Sequence, residues 1–261
     1  MILSVCITVF SLSAYHIYDY WKETQDSQRQ NDVLIDKAVE TAPQTQQTEN
    51  GQTESAIKPV SETAPITVDF ERLQEENKDI IAWLYCPDTE INYPVVQSKD
   101  NEYYLRRLLD GTWNIAGTLF MDYRNAADCS DLHTIIYGHN MRVKSMFGSL
   151  HDFESENFYK KHNKIYLYQP GKTIKCTIYS VYDCLDKSAT YLTDFSDDEN
   201  DNKWVDWLTM TVNNNAYYPI KKKPAEKDRI ITLSTCSGKQ KGDSYRFVVH
   251  SLVTDTVIYE E

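Results

Sequence analysis

Three side chains with complementary chemistry stand in the second half of the chain. Cys236 closes the apolar run 229–236 and is followed at once by a polar loop, so its thiol is expected to meet solvent at a strand end. His139 follows the apolar run 134–137, and an imidazole, with an unperturbed pKa of about 6.5, is the natural base for a thiol. Arg246 stands ten residues after Cys236 and begins the last apolar run. Together they predict a nucleophile, a proton carrier and a fixed cation that could hold an oxyanion.

Each of the three also has an ordinary structural interpretation. Free cysteines are often buried and inert, a lone histidine is commonly a solvated loop residue, and an arginine on an edge strand can serve solubility. Arg246 returns to Cys236 only if the runs that carry them pair as an antiparallel hairpin. The chemistry therefore depends on the fold.

The other cysteines form no metal-binding pattern. The chain has no C-x-x-C pair and no Cys/His cluster with zinc spacing, so we predict neither a metal nor a cofactor. Cys86, Cys176 and Cys184 stand in runs typical of strands, whereas Cys129 lies in a polar loop and is expected to be exposed.

The elements that must position these residues are mostly strands. Many short strand-like runs, two or three helices and no βαβ alternation predict a mainly β fold, a closed or nearly closed β-barrel with helical insertions. The predicted strands are 80–85, 91–96, 117–123, 133–138, a hairpin over 164–184 with a Pro-Gly turn, 229–236 and 245–253. One predicted helix begins at Asp69, and three others span 101–109, 145–153 and 196–213. The last has Ser196 as its N-cap candidate and carries Trp204, Leu208 and Val212 on one face.

Charge and composition divide the chain into three segments. The formal net charge of −12 repels phosphate and argues against nucleic acid as a partner. Residues 1–18 carry no charged side chain, which predicts an uncleaved membrane signal anchor over 1–21, with a cleaved signal peptide as the alternative. Residues 22–65 are polar and predict a flexible stalk. Residues 66–261 are then the folded, catalytic domain.

Four motifs in order resemble the class B sortases. Thr232–Cys236 reads T-L-S-T-C and is followed by Arg246, which is similar to the sortase signature T-L-x-T-C…R. The stretch 135–141 resembles the sortase histidine segment. The stretches 91–96 and 117–125, and the helix at 197–213 before the cysteine strand, resemble class B members in particular. The resemblance covers about residues 70–261.

The resemblance implies roles for individual residues. Cys236 is then the nucleophile, His139 the general acid/base, and Arg246 the donor to substrate and oxyanion. Some class B members carry an acidic residue two positions after the cysteine; here that residue is Gly238, and Asp243 is a stand-in only by its proximity in sequence. Five residues match positions that line the class B peptide groove: Asn101, Leu105, Tyr191, Leu192 and Ser234.

The same resemblance implies a function. It predicts an eight-stranded sortase barrel in a membrane-anchored cysteine transpeptidase of Gram-positive bacteria, with the catalytic domain outside the cell. The substrate would be a sorting peptide of the N-P-x-T-N or P-x-T-G kind, cleaved after Thr through a thioacyl intermediate, and the acceptor an amine of peptidoglycan or lipid II. His139 precedes Cys236 by 97 residues, the reverse of the order in papain-like peptidases. The alternative is a non-catalytic, membrane-tethered β-barrel that binds peptides, without a fast-reacting thiol at Cys236.

Overall fold

Eight strands close into a barrel in the computed structural model of the chain, which describes residues 2–42, 64–196, 202–238 and 244–259. This confirms the predicted mainly β fold with helical additions. A small separate sheet pairs β1 (Val39–Thr41) with β2 (Ile66–Val68). The barrel strands are β3 (Ile80–Tyr85), β4 (Asn92–Val96), β5 (Leu119–Met121), β6 (His133–Tyr137), β7 (Lys164–Gln169), β8 (Lys172–Leu185), β9 (Ile230–Cys236) and β10 (Tyr245–Ile258).

The order of the strands places the cysteine strand between the histidine strand and the arginine strand. Around the barrel the order is β10-β8-β7-β3-β4-β5-β6-β9, and β9 closes it against β10. Most pairs are antiparallel, but β4 pairs with β5, and β6 with β9, in parallel. Parallel strands end at the same edge of a sheet, so β6 and β9 deliver their C-terminal residues side by side.

Inward-facing apolar side chains fill the barrel and make it rigid. Leu84, Val95, Ile136, Leu233 and Phe247 are fully buried members of one hydrophobic cluster that draws on strands from all round the barrel. Close-packed interiors resist deformation, so the strand ends are held at defined positions.

The helices agree with the sequence in part. Asp69 caps α2 (Phe70–Glu76), with its carboxylate accepting from Arg72 N at 3.1 Å. The stretches predicted as helices at 101–109 and 145–153 contain 3-10 helices at Tyr104–Arg106 and Phe147–Glu154 instead, followed by an unpredicted α3 (Glu156–His162). A further 3-10 turn spans Ala189–Tyr191.

The helix predicted over 196–213 is shorter than expected. In the structure α4 spans Lys203–Asn213, and its N-cap is Asn202. Ser196 hydrogen-bonds Asp194 instead of capping the helix, and residues 197–201 lie outside the described residues. The buried face of α4 includes Trp204, Trp207 and Leu208, which pack against the barrel.

The structure contradicts the membrane anchor predicted over residues 1–21. The predicted location, in a membrane with an external catalytic domain, depended on that anchor and is also contradicted. Residues 2–38 form one helix, α1 (Ile2–Ala38). Among the described residues, neither this helix nor another combines the length and apolar character that a membrane crossing demands. Polar side chains interrupt the apolar run at Ser4, Thr8, Ser11, Ser13 and His16.

The flexible stalk predicted over 22–65 does not hold for residues 22–42. Here α1 continues along the barrel, and β1 follows it. Leu34 is 3% exposed and belongs to a hydrophobic cluster with Leu73 and Ile80. Asn31 Nδ2 donates to Asn92 O at 3.1 Å, and Gln30 Oε1 accepts from Leu109 N at 3.1 Å. Side chains that look solvated in the sequence thus satisfy backbone groups of the barrel; residues 43–63 lie outside the described part.

Candidate active site

The ends of three neighbouring strands bring Cys236, His139 and Arg246 to one edge of the barrel. Cys236 and Arg246 are directly paired in the antiparallel register of β9 and β10, and side chains of paired residues share a face. Tyr137 of β6 pairs with Ser234 of β9 in parallel. His139 and Cys236 each stand two residues further on, so they leave the sheet at the same level. The hairpin expected from the sequence is present.

The three side chains line a common groove. Its volume is about 410 Å³, which lies in the range of ligand-binding clefts. Four of the five residues predicted to bind the peptide line the same groove: Asn101, Leu105, Tyr191 and Ser234. The remaining lining residues are Phe120, Arg124, Tyr137, Gly138, Asp186 and Thr235.

Leu192 is the predicted binding residue that the structure does not bring into the groove. Its side chain packs against the cluster that contains Trp204 and Trp207. Its carbonyl accepts a hydrogen bond from His133 at 2.7 Å. The neighbouring Tyr191 turns the other way, and its hydroxyl meets Ser234 Oγ at 2.8 Å inside the groove.

His139 is oriented by a backbone carbonyl. Its Nε2 lies 2.7 Å from Leu105 O, and because a carbonyl only accepts, Nε2 carries the proton. Burial lowers the pKa of His139, and the positive charge of Arg106 lowers it further. The hydrogen bond to Leu105 raises the pKa but does not offset these two effects. The imidazole is therefore neutral at neutral pH, with Nδ1 free to accept a proton. The Leu105 carbonyl occupies the orienting position that a carboxylate takes in many catalytic triads; Asp243, considered from the sequence, lies outside the described residues.

Arg246 is held near the thiol by its own surroundings. Its guanidinium lies 3.8 Å from the Asp186 carboxylate, with the arginine side chain 27% exposed. Its Nη1 donates to Tyr245 O at 3.3 Å. Asp186 lines the groove as well, and sequence reasoning missed it because it lies fifty residues before Cys236.

Comparison with known proteins assigns the family. The sortase domain model matches residues 84–253. The chain is 39% identical to a sortase B of Listeria monocytogenes over 184 residues, 70% of this chain and 73% of that protein. Among solved structures, a sortase B from Bacillus anthracis has a TM-score of 0.69 at 31% identity and covers 91% of this chain and 98% of its own. A Staphylococcus aureus sortase B–substrate complex has a TM-score of 0.65 at 31% identity, covering 73% and 85%.

The chain belongs to the class B sortases.

Membership of this family makes the protein a cysteine transpeptidase of the kind that anchors surface proteins. The family assignment predicted from four short motifs is thereby confirmed. The family also disfavours the alternative of a barrel that only binds peptides.

Exposure separates Cys236 from the other cysteines of the sortase domain. All six cysteines are free, and only Cys6 and Cys236 are exposed. Burial raises the pKa of Cys86, Cys129 and Cys176 to about 12, so these thiols stay protonated. The expectation that Cys129 is exposed is wrong. The residue is 3% exposed, and it lies in a turn where its backbone has a positive φ of 55°.

Two residues that sequence reasoning did not single out hold the backbone of the sortase's Cys236. Asn140 Nδ2 donates to Cys236 O at 2.9 Å, and His151 Nε2 lies 3.1 Å from the same oxygen. His151 is braced by Glu154, 2.6 Å from its Nδ1, and stacks on Phe247. Asn140 follows His139 in the recognised segment, but His151 is separated from Cys236 by 85 residues and no local signal marks it.

Arg124 and Tyr137 form a second polar wall of the groove. The buried Asp122 carboxylate accepts two hydrogen bonds from Arg124, at 2.8 and 2.7 Å, and one from Tyr137 at 2.9 Å. Tyr137 in turn stacks on Tyr191 with centroids 6.2 Å apart. Both Arg124 and Tyr137 lie in stretches that carried the family resemblance, which was the available signal.

Proposed function

We propose that this sortase cleaves a sorting peptide after Thr and transfers the new carboxyl end to an amine. The peptide is of the N-P-x-T-N or P-x-T-G kind, and the acceptor is an amine of peptidoglycan or its lipid II precursor. The observation that carries the proposal is the register of β6, β9 and β10, which sets an exposed thiol opposite a guanidinium and level with an imidazole. The similar sortase B of Staphylococcus aureus was solved as a complex with substrate, which supports a peptide in the corresponding groove.

The first half of the reaction forms a thioester. The Cys236 thiol passes its proton to Nδ1 of His139 and its sulfur attacks the Thr carbonyl carbon, while Arg246 donates to the developing oxyanion. The C–N bond after Thr then breaks, and His139 passes a proton to the departing amine. A neutral imidazole with Nε2 held by Leu105 is suited to carry a proton on its other nitrogen.

The second half returns the enzyme to its starting state. The acceptor amine attacks the thioester carbon, a new amide bond forms, and the C–S bond breaks. His139 takes the proton that the attacking amine loses and returns it to the departing sulfur. No electron is gained or lost, and the proton taken from the amine returns to the thiol, so the cycle is balanced.

Substitution of Cys236 tests this proposal. Cys236→Ala in the full chain should abolish turnover of whichever of the two sorting peptides the wild-type protein cleaves with triglycine as acceptor, because the thioester cannot form. Mass spectrometry of the wild-type protein should detect the acyl-enzyme and show which peptide is cleaved and at which bond. Cys6→Ala is the matched control, since Cys6 is also exposed but lies outside the groove, and its rates should equal wild type. Turnover that survives Cys236→Ala would refute the proposal.

A further inference from the structure

A continuous chain of buried polar side chains runs through the barrel wall behind the groove. It links His133 on β6, Thr232 on β9, His250 on β10 and Tyr182 on β8, which are four strands adjacent in the barrel. His133 Nε2 lies 2.7 Å from Thr232 Oγ1, which lies 2.7 Å from His250 Nδ1. His250 Nε2 lies 3.0 Å from the Tyr182 hydroxyl. All four residues are at most 2% exposed.

Both ends of this hydrogen-bond network contact the same short segment of the protein. At one end, His133 Nδ1 lies 2.7 Å from Leu192 O. At the other end, the Tyr182 hydroxyl lies 3.1 Å from Thr190 Oγ1. Residue 191, between the two attachment points, is the tyrosine that lines the groove and meets Ser234. The network therefore fastens the segment 189–192 to the strands that carry Cys236, His139 and Arg246.

The direction of every hydrogen bond in the network follows from the Leu192 carbonyl. A carbonyl only accepts, so His133 Nδ1 carries a proton. Burial lowers the pKa of His133 to about 4 and that of His250 well below its ordinary value, so both rings are neutral. Each neutral ring holds one proton. His133 Nε2 then accepts from Thr232, leaving Thr232 Oγ1 to accept from His250 Nδ1.

The remaining two bonds are determined in the same way. Because His250 Nδ1 donates, its Nε2 accepts from the Tyr182 hydroxyl. The Tyr182 oxygen in turn accepts from Thr190. Only one arrangement of protons therefore satisfies the network, and each of its four residues both donates and accepts a hydrogen bond. The ring of Trp207 packs against His133 with centroids 4.3 Å apart and planes tilted by 44°, which shields the network from water.

We propose that His133, Thr232 and His250 are positioning residues for peptide binding, because they hold segment 189–192 and hence Tyr191 in place at the groove. The inference rests on the proposed function, since it assigns Tyr191 to the peptide-binding wall. Thr232 is the central residue of the network: it alone donates to one histidine and accepts from the other. A buried network that loses one member leaves its neighbours unsatisfied, at a cost comparable to desolvating each group.

Nitrogen-15 spectra of the imidazole rings test the proton order directly. At pH 7, His133 and His250 should both show a protonated Nδ1 and an unprotonated Nε2, with His133→Gln and His250→Gln used to assign the signals. Finding either ring with the proton on Nε2, or doubly protonated, would overturn the network as described. This measurement does not depend on activity.

Substitutions at Thr232 test the positioning role. Thr232→Val keeps the side-chain shape but removes the hydroxyl, and the KM for the sorting peptide should rise roughly tenfold while kcat changes less than about twofold. Thr232→Ser should restore the wild-type KM. Thr173→Val is the matched control: Thr173 is 3% exposed and hydrogen-bonds Tyr259, away from the segment, so its loss should lower stability without raising KM. An unchanged KM in Thr232→Val would overturn the proposal.

Hydrogen exchange separates failure of this inference from failure of the proposed function. The amides of Tyr191 and Leu192 donate to Ser188 O and Ala189 O. In Thr232→Val these amides should exchange roughly tenfold faster than in Thr173→Val, whether or not the protein turns over peptide. Equal exchange rates in the two variants would refute the positioning role. A wild-type protein that does not turn over the sorting peptides would refute only the proposed function.

Discussion

The side chains at the groove differ in how they reach their positions. Cys236 and Arg246 meet by direct pairing across two strands, so their geometry is built into the hairpin. His139 lies in a loop, and it depends on the Leu105 carbonyl for its orientation. Arg246 depends on Asp186, 3.8 Å away, for part of its orientation. Cys236, the proposed nucleophile, is thus fixed by the sheet, whereas the side chains of His139 and Arg246 are oriented in part by neighbours remote in sequence.

Replacing Arg246 by lysine should remove most of the activity. A lysine retains the charge but lacks the planar fork that can donate to an oxyanion and to the substrate together. We expect kcat/KM to fall about 100-fold, the size of effect seen when one oxyanion donor is lost. Steady-state kinetics with the sorting peptide measures it.

Arg229→Lys provides the control for that substitution. Arg229 immediately precedes β9, the strand that ends at Cys236, and there it donates to Cys129 O at 2.9 Å. Its replacement should leave kcat/KM within about twofold of wild type. Wild-type kinetics in Arg246→Lys would remove Arg246 from the mechanism.

Among the secondary-structure elements, α1 departs most from expectation. A polar sequence with few aromatic residues indicates a chain that cannot bury enough apolar surface to order itself. In the structure, residues 20–38 of α1 use the barrel as their partner, through Leu34, Ala38 and hydrogen bonds such as Asn114 Nδ2 to Glu23 O at 2.8 Å. The apolar surface that orders this stretch belongs mainly to the barrel, so composition alone could not reveal it.

Leu34→Ala tests whether the packing of α1 contributes to stability. Leu34 is 3% exposed, and truncation of a buried leucine leaves a cavity, so the free energy of unfolding should fall by about 2–5 kcal/mol. Urea denaturation measures the change. Val33→Ala is the matched control, because Val33 is 56% exposed on the same helix, and its effect should stay within about 0.5 kcal/mol. Equal effects in both variants would show that α1 does not pack on the barrel in solution.

The free energy of unfolding of the whole protein should fall in acid, because the folded protein buries neutral histidines. The pKa of His133 is lowered to about 4, chiefly by burial, which outweighs the hydrogen bond to Leu192 and the carboxylates of Asp122 and Asp131. In the unfolded chain the same ring has a pKa of about 6.5. Between these values the unfolded state binds the proton first, so stability is complete above about pH 6.5 and is lost as the pH falls toward 4.

Urea unfolding at pH 7 and pH 5 measures this loss. His133 alone should contribute a decrease on the order of 2 kcal/mol at pH 5, and His250, whose pKa is also lowered by burial, should add to it. His16→Gln, on the exposed part of α1, should leave the difference unchanged. A nuclear magnetic resonance titration of His133 with a midpoint near 6.5 would contradict the prediction.

The amino-acid sequence by itself determined the barrel strands, Asp69 as a cap and the family, and it predicted Cys236, His139 and Arg246 as the catalytic residues. These depend on local patterns: alternation and turn residues place β3 to β10, and T-L-S-T-C with a following arginine marks the hairpin. Only the tertiary structure decided which remote groups complete the site. Leu105 O on His139, Asp186 near Arg246, His151 at the Cys236 carbonyl and Leu192 turned away from the groove all follow from contacts between distant parts of the chain. Such contacts arise from how the elements close around the barrel, and no spacing along the chain encodes them.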